Sequence, residues 1–222
     1  LAAQRGGDPD REGKRDPLDP VLWRGRIDGD PSWTTVLGDG RPGWHIECSV
    51  IAQQLLELPI AVNGGGADLA FPHHEFTAGH TAALTGHQHA HLWSHVGLVS
   101  YQGTPMSKSL GNLVLVSRLI DQGVDPRAIR LAILSQHYRG GWEWTDALLE
   151  SAQARLTSWL AWAPTPGRRH GTLTQELRTT LADDLDTPSA LARVDARIAA
   201  HQPPGGGDLD AIAALLGVRL VE

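Results

Sequence analysis

Histidine and cysteine residues concentrate in one stretch of the chain, where they could bind a metal ion. Eight of the eleven histidines lie between residues 45 and 95, together with Cys48, the one cysteine. Thiolate and imidazole are ligands that suit Zn²⁺, and Cys48 with His73 or His74, each expected beside a strand end, is the most useful pair. Two ligands are too few for a closed tetrahedral site, so the residues alone favour a free cysteine among ordinary histidines. The cluster HQHAH (87–91) is predicted to form a solvated turn.

Two further segments have residue types that suit phosphate and nucleotide chemistry. The run NGGGADL (63–69) follows a predicted strand. Its glycines would let the backbone approach a ligand, and Asp68 could hold a hydroxyl or an amine, although a tight strand-to-helix turn explains the run equally well. The segment MSKSLGN (106–112) is predicted to be a mobile loop whose single ammonium, on Lys108, could stabilise a departing phosphate.

Composition narrows the class of protein. The chain has 222 residues, a net charge of −6 and only two lysines among 19 basic residues. Because it is not basic, we expect no large nucleic-acid interface. No apolar run approaches the roughly 20 residues of a membrane span, the opening residues lack an apolar signal region, and a single cysteine fits a reducing compartment. We therefore expect a cytoplasmic protein, and the absence of an initiator Met suggests that it is longer than this chain.

The first half of the sequence predicts an α/β arrangement. Residues 1–43 are rich in Gly, Pro, Asp and Arg and show little periodicity. Within them QRGGDPDREGKRDPLDP (4–20) is predicted to form a loop with turns. Helices are predicted over 47–58 and about 73–85, and short strands over 59–63, expected to be buried, and over 95–99. The apolar residues that define the first helix are Ile51, Leu55 and Leu58. Strand and helix alternating at this spacing indicate a parallel sheet.

The second half is predicted to be entirely helical. Asp125 before Pro126 is a typical helix start, and Thr145 can cap the next helix. That helix places its leucines mostly on one face: Leu148, Leu149, Leu156 and Leu160. Further helices are predicted near 173–183, 188–201 and 208–216. We therefore expect an α/β catalytic region over residues 1–115 and a helical domain over 116–222.

Several motifs together resemble one enzyme family. GRPGWHIECS (40–49), GGGADLAFPHHE (64–75) and PMSKSLGN (105–112) occur in the order found in cysteinyl-tRNA synthetase-like class I enzymes. SQHYRGG (135–141) and DDLDTPSAL (183–191) resemble the helical part of that family. The resemblance covers nearly the whole chain but only the C-terminal half of such an enzyme. It implies a C-terminal half of a Rossmann-like nucleotide-binding domain followed by an all-α domain, with the HIGH-type motif and first zinc cysteine absent.

Within this family the resemblance is stronger to the mycothiol-pathway cysteine ligases than to the tRNA synthetases. QRGGDP (4–9) is similar to the ligases' ERGGDP signature, with Gln4 in place of Glu. Thr77 stands where the synthetases usually have a glutamate ligand. From the short helical tail before Glu222 we expect no full anticodon-binding region. A cysteinyl-tRNA synthetase fragment and an inactive split remnant remain the alternatives.

The resemblance implies a zinc site for cysteine recognition. Cys48 and His73 would be two of three protein ligands to one Zn²⁺, the third being a cysteine upstream of Leu1, and His74 is the second choice for the histidine. The substrate's thiolate would fill the open position. Trp44 resembles the aromatic residue that closes over the cysteinyl group.

The same resemblance assigns the nucleotide-binding residues. Gly64, Gly65, Gly66 and Asp68 would line the adenosine, and Val99 would offer its backbone to adenine. Lys108, assisted by Ser107 and Ser109, would bind the phosphates of ATP with Mg²⁺. Pro105 replaces the first lysine of the family's loop, which removes one ammonium.

The implied reaction has two steps. The carboxylate of L-cysteine attacks ATP to give cysteinyl-adenylate and pyrophosphate, and the amine of glucosaminyl-inositol then displaces AMP. The partners are therefore small molecules, with no membrane and no nucleic acid, and a monomer is expected. We expect this chain by itself to be inactive, since the missing half would supply the HIGH motif and the third zinc ligand.

Overall fold

The computed structural model describes residues 9–165, 167 and 171–221. The chain divides into two compact units, Leu1–Val96 and Gly97–Glu222. The first contains, in order, β1 (Trp23–Gly25), β2 (Trp33–Thr35), β3 (Gly38–Pro42), α1 (Trp44–Leu55), β4 (Ile60–Gly66), α2 (Glu75–Thr85) and β5 (Ala90–Val96). The second contains β6 (Val99–Tyr101), β7 (Thr104–Pro105), α3 (Val116–Asp121), α4 (Pro126–Leu134), β8 (Trp142–Trp144), α5 (Asp146–Trp162), α6 (Leu173–Ala182), α7 (Thr187–Ala199) and α8 (Asp208–Ala211).

A small antiparallel sheet forms in the N-terminal stretch that shows little periodicity in the sequence. Strand β3 lies between β1 and β2, with Trp23 opposite Pro42 and Trp33 opposite Gly40. The sequence predicts no strand here, and the loop predicted over 4–20 precedes this sheet. These strands have only three to five residues, too few to show the alternation by which a strand is recognised in a sequence. Most of QRGGDP (4–9) lies outside the described residues.

The parallel pair predicted from the α/β pattern is present. Strands β4 and β5 pair in parallel, with Gly65 opposite His95. Strand β5 ends at Val96, so the strand predicted over 95–99 is displaced, and Val99 instead begins β6. The expectation that residues 59–63 form a buried strand is wrong, because none of them is fully buried and Ala61 and Val62 are exposed.

Helix α1 presents its polar side to the protein. It begins at Trp44, earlier than predicted, and ends at Leu55, so Leu58 lies outside it. Ile51 and Leu55, which define the apolar face in the sequence, are 55% and 76% exposed. The fully buried residue of α1 is Ser49, whose hydroxyl donates a hydrogen bond to the carbonyl of Thr77 in α2 (3.0 Å).

The second unit is a helical core with one small sheet. Asp125 and Thr145 cap α4 and α5 as predicted, accepting hydrogen bonds from the backbone amides of Arg127 and Leu148. Trp159 is fully buried in a hydrophobic core formed by helices α4 to α7 and by apolar residues of the segment 211–220. Residues 116–222 are not entirely helical, however, because β8 pairs in parallel with β6.

The chain divides into compact units after Val96. The domain boundary predicted at residue 115 stays a prediction. Within the described ranges, no helix is both long enough and apolar enough to span a bilayer.

Candidate active site

The start of α1 is held against the residues that directly precede β1. The amide of Gly43 donates to the carbonyl of Leu22 (3.0 Å). A Cβ atom at Gly43 would overlap the carbonyl of Val21, so glycine is needed for this close approach. The next residue, Trp44, begins the helix and remains 55% exposed.

Two histidines 28 residues apart meet beside Trp44. Nδ1 of His45 lies 2.9 Å from Nδ1 of His73, and the indole of Trp44 stacks on the His73 ring at 4.4 Å between centroids. Cys48 follows His45 by three residues, so it lies on the same side of α1, and it is half-buried. His73 is buried in the irregular segment that precedes α2. Cys48 lies within α1, and not beside a strand end as predicted.

Burial makes neutral imidazoles the stable form here. Burial, with smaller contributions from His73 and His80, lowers the pKa of His45 to about 4. Burial also lowers the pKa of His73. The pKa of the Cys48 thiol is raised, first by burial and then by Glu47, so a thiolate at this position requires a compensating cation.

The side chains of Cys48 and His73 are of types that suit a soft metal ion. Cys48 offers sulfur and His73 offers an imidazole nitrogen, two ligand types that Zn²⁺ prefers. In the part of the chain that the structure describes, no group of three His, Cys, Asp or Glu residues could hold a metal ion. Cys48 and His73 together offer one sulfur and one nitrogen donor, which is fewer than the three protein ligands of a catalytic zinc site.

The neighbouring His74 is committed to other contacts. Its Nδ1 lies 2.8 Å from Nε2 of His95, and its Nε2 lies 3.3 Å from Nδ2 of Asn63. Its ring also packs against Gly65. With both nitrogens engaged, His74 is a poorer ligand candidate than His73, whose Nε2 makes no hydrogen bond among the described residues.

The predicted adenosine-binding residues lie at the end of β4 and just after it. Gly64, Gly65 and Gly66 belong to the strand itself and do not form the turn that the sequence suggested. Asp68 lies in the short 3₁₀ turn Ala67–Leu69 after the strand and is exposed. The carboxyl end of a parallel strand is where nucleotide sites are generally found in α/β sheets.

A cavity of about 540 Å³ lies against the same cluster. Trp44 and His45 form part of its wall, together with Pro72 and Phe76 of the segment around His73. Basic residues are prominent in its lining: Arg11, Lys14, Arg24 and Arg26. The lining also includes the acidic residue Asp19, whose carboxylate accepts hydrogen bonds from the backbone amides of residues 15 and 16.

The remaining predicted site residues belong to the second unit. Lys108 is exposed at the tip of a turn. The turn is closed by hydrogen bonds from the Ser107 amide to Oδ1 of Asn112 (2.9 Å) and between the hydroxyls of Ser107 and Ser109 (3.2 Å). Val99 pairs with Trp142 of β8. The ammonium is therefore presented on a hydrogen-bonded turn.

Sequence reasoning missed the role of several histidines. The sequence does contain a signal for His45. In the motif WHIEC it stands three residues before Cys48, a spacing that places both residues on one side of a helix. His89 contradicts the predicted solvated turn over 87–91, because it is 2% exposed and its Nδ1 lies 2.8 Å from the Thr81 hydroxyl. His87 and His91 are exposed as expected. A buried partner such as Thr81 is not visible in the local sequence.

Comparisons with known proteins match the chain to a family model and to several proteins that share one name. Residues 2–154 match the family described as tRNA synthetases class I (C) catalytic domain. A protein of Clavibacter sepedonicus named L-cysteine:1D-myo-inositol 2-amino-2-deoxy-alpha-D-glucopyranoside ligase is 58% identical over 99% of this chain and 56% of its own length. The protein of the same name from Arthrobacter sp. (strain FB24) is 54% identical over 99% of this chain and 54% of its own. The chain therefore spans about half the length of the curated relatives it matches.

Among solved structures, the chain is similar to LeuRS in a ternary complex from Agrobacterium radiobacter K84. The TM-score is 0.57 at 14% identity, covering 88% of this chain and 32% of the other. At this identity the likeness shows the fold alone. Together with the parallel β4–β5 pair, it confirms the predicted fold class.

Proposed function

The chain belongs to the family of class I (C) tRNA synthetase catalytic domains, and we propose that it takes part in the ATP-dependent ligation of L-cysteine to the amine of glucosaminyl-inositol. The observation that carries this proposal is the 58% identity, over 99% of the chain, to a ligase whose name states that cysteine and that amino sugar are joined. The proposal concerns the full-length protein, and it includes a cytoplasmic, monomeric enzyme.

Cysteine selection is assigned to Cys48 and His73 as two ligands of one Zn²⁺. When bound, zinc would supply a soft Lewis acid, which prefers a thiolate to the harder hydroxyl of serine. The proposal is supported by the position of Trp44, whose indole covers the His73 ring at 4.4 Å. An exposed indole at this point could close over a cysteinyl group and exclude water.

The adenosine of ATP is assigned to the end of β4. The glycines Gly64–Gly66 leave the backbone accessible, and Asp68 offers a carboxylate to a ribose hydroxyl or to the ammonium of cysteine.

The phosphates are assigned to Lys108 on its turn, with Mg²⁺. As the carboxylate oxygen of cysteine bonds to the α-phosphorus, the bond to pyrophosphate breaks and negative charge grows on the leaving group. The Lys108 ammonium would stabilise that charge, and the hydroxyls of Ser107 and Ser109 could donate to phosphate oxygens. The amine nitrogen then attacks the carbonyl carbon, AMP leaves with the bonding electron pair, and the nitrogen loses a proton.

The acceptor is assigned to the cavity beside Trp44 and His45. Positive charge near an amine disfavours its ammonium form, so Arg24 and Arg26 in the lining would favour the neutral amine that can attack. Guanidinium groups can also donate hydrogen bonds to the hydroxyls of a sugar or an inositol. Replacing Arg26 with Gln is expected to raise the KM for the acceptor while leaving the KM for cysteine unchanged, and Arg178→Gln, at an exposed position of α6, is the matched control.

The test supplies two acceptors in parallel to the full-length protein with labelled cysteine and ATP. The expected result is label on glucosaminyl-inositol and none on tRNA. Label on tRNA alone would replace the proposal with a cysteinyl-tRNA synthetase, and absence of cysteine-dependent pyrophosphate exchange would indicate an inactive remnant.

A further inference from the structure

We propose that His45 is a positioning residue for the zinc ligand His73, fixing the ring form in which His73 can bind metal. The inference rests on the proposed function, because it takes His73 as a ligand. It starts from a contact that the motif alone does not reveal: the two Nδ1 atoms lie 2.9 Å apart.

A hydrogen bond between two neutral imidazoles contains one proton, so one Nδ1 donates and the other accepts. If His45 donates, the proton of His73 is on Nε2, and His73 has no free lone pair for a metal. If His45 accepts, His73 has its proton on Nδ1 and its Nε2 lone pair is free. Only the second arrangement is compatible with His73 as a ligand, so His45 is assigned as the acceptor.

The surroundings hold His45 in place for this role. The carbonyl of His45 lies 3.5 Å from the hydroxyl of Thr77, which can donate to it, and 3.3 Å from the hydroxyl of Ser49, whose nearer acceptor is the carbonyl of Thr77. The ring of Phe76 meets the His45 ring edge-on at 5.0 Å. Residues from both α1 and α2 therefore fix the backbone and ring of His45, so that its Nδ1 faces His73.

The position of Thr77 adds a second reason for such a partner. Thr77 is buried, 3% exposed, and its hydroxyl is directed to the His45 carbonyl, so no carboxylate stands at this position beside His45. Of the two ligands proposed on this chain, only Cys48 is charged, so the orientation and basicity of His73 matter more. Partners of metal-bound histidines typically contribute about 10–100-fold to metal affinity.

The test compares two substitutions in the full-length protein. His45→Phe retains an aromatic ring against Phe76 but has no acceptor, and His45→Asn places a polar atom near the former Nδ1. Competition with a chelator should give zinc binding about 10–100-fold weaker for His45→Phe and within a few fold of wild type for His45→Asn. His87→Ala, at an exposed histidine of the same unit, is the control and should bind zinc as wild type does.

A second readout separates positioning from a merely structural role. Nitrogen-15 NMR of the zinc-loaded wild type should show His73 with its proton on Nδ1, and thermal unfolding of the metal-free proteins should be similar for wild type and His45→Phe. Zinc affinity of His45→Phe equal to wild type, or metal bound through Nδ1 of His73, would overturn the inference. If Cys48→Ala and His73→Ala both retain zinc, the zinc site of the proposed function itself is wrong, which is a different outcome.

Discussion

Gly65 and His74 are packed so closely that no side chain fits between them. A Cβ atom at Gly65 would lie 2.6 Å from Cε1 of His74 and 2.9 Å from its Nε2. Through this contact, β4 sets the position of the His74 ring, and His74 in turn lies between Asn63 and His95. The glycine run is thus explained by packing against a histidine as well as by access for a ligand.

Substituting Gly65 with alanine is therefore expected to destabilise the first unit by about 1–3 kcal/mol, the typical cost of overpacking. Gly79→Ala is the control, because a Cβ atom at Gly79 in α2 meets nothing within 4 Å, and it should be neutral or stabilising by up to about 1 kcal/mol. Urea unfolding measures both. Equal stability of the two variants would show that the His74 ring moves aside at little cost.

Loss of either proposed zinc ligand should remove zinc and cysteine binding together. With Cys48→Ala or His73→Ala, the remaining ligands are too few to compete for the metal. The measurements are the zinc content of the full-length protein by elemental analysis and the affinity for cysteine by calorimetry. Zinc content near one per chain in both variants would contradict the ligand assignment.

Lys108→Ala should reduce the rate of adenylate formation by about 10²–10³-fold, typical of losing one group that stabilises transition-state charge. Affinity for cysteine should change little, because the ammonium is assigned to the departing pyrophosphate. Pyrophosphate exchange and cysteine binding are measured on the same preparation, with Arg118→Ala as a control for loss of an exposed cation. A raised KM for cysteine with unchanged kcat would instead assign Lys108 to ground-state binding.

Stability in acid should depend on Asp184 in the second unit. Hydrogen bonds from Arg139 and from the Tyr138 hydroxyl (2.6 Å) lower the pKa of Asp184 to about 2. Because this pKa is lower in the folded than in the unfolded protein, the stabilisation is present above about pH 4 and is lost as the pH falls towards 2.

The measurement is the melting temperature as a function of pH. Asp184→Asn retains a residue type that tolerates the left-handed backbone at this position, where φ is 52°, and it should flatten the curve between about pH 4 and 2. Asp183→Asn, at the neighbouring exposed carboxylate, should leave the curve as in wild type. Identical curves for wild type and Asp184→Asn would contradict the prediction.

The sequence by itself determined the features that depend on neighbouring residues in the chain. Asp125 and Thr145 were identified as helix caps because a cap requires only a side-chain oxygen two or three residues before an amide. The α/β alternation and the motifs containing Cys48 and His73 were likewise sufficient to predict the fold class and the family.

Only the tertiary structure decided which side of each element faces inward and which distant residues meet. The spacing of Ile51 and Leu55 suggested an apolar inner face for α1, but the inner face is the polar one that includes His45 and Ser49. Burial depends on what packs against a helix, and amphipathic spacing does not specify this when polar partners such as His73 supply hydrogen bonds. The contact between His45 and His73 joins residues 28 positions apart, so it exists only because α1 and α2 pack together.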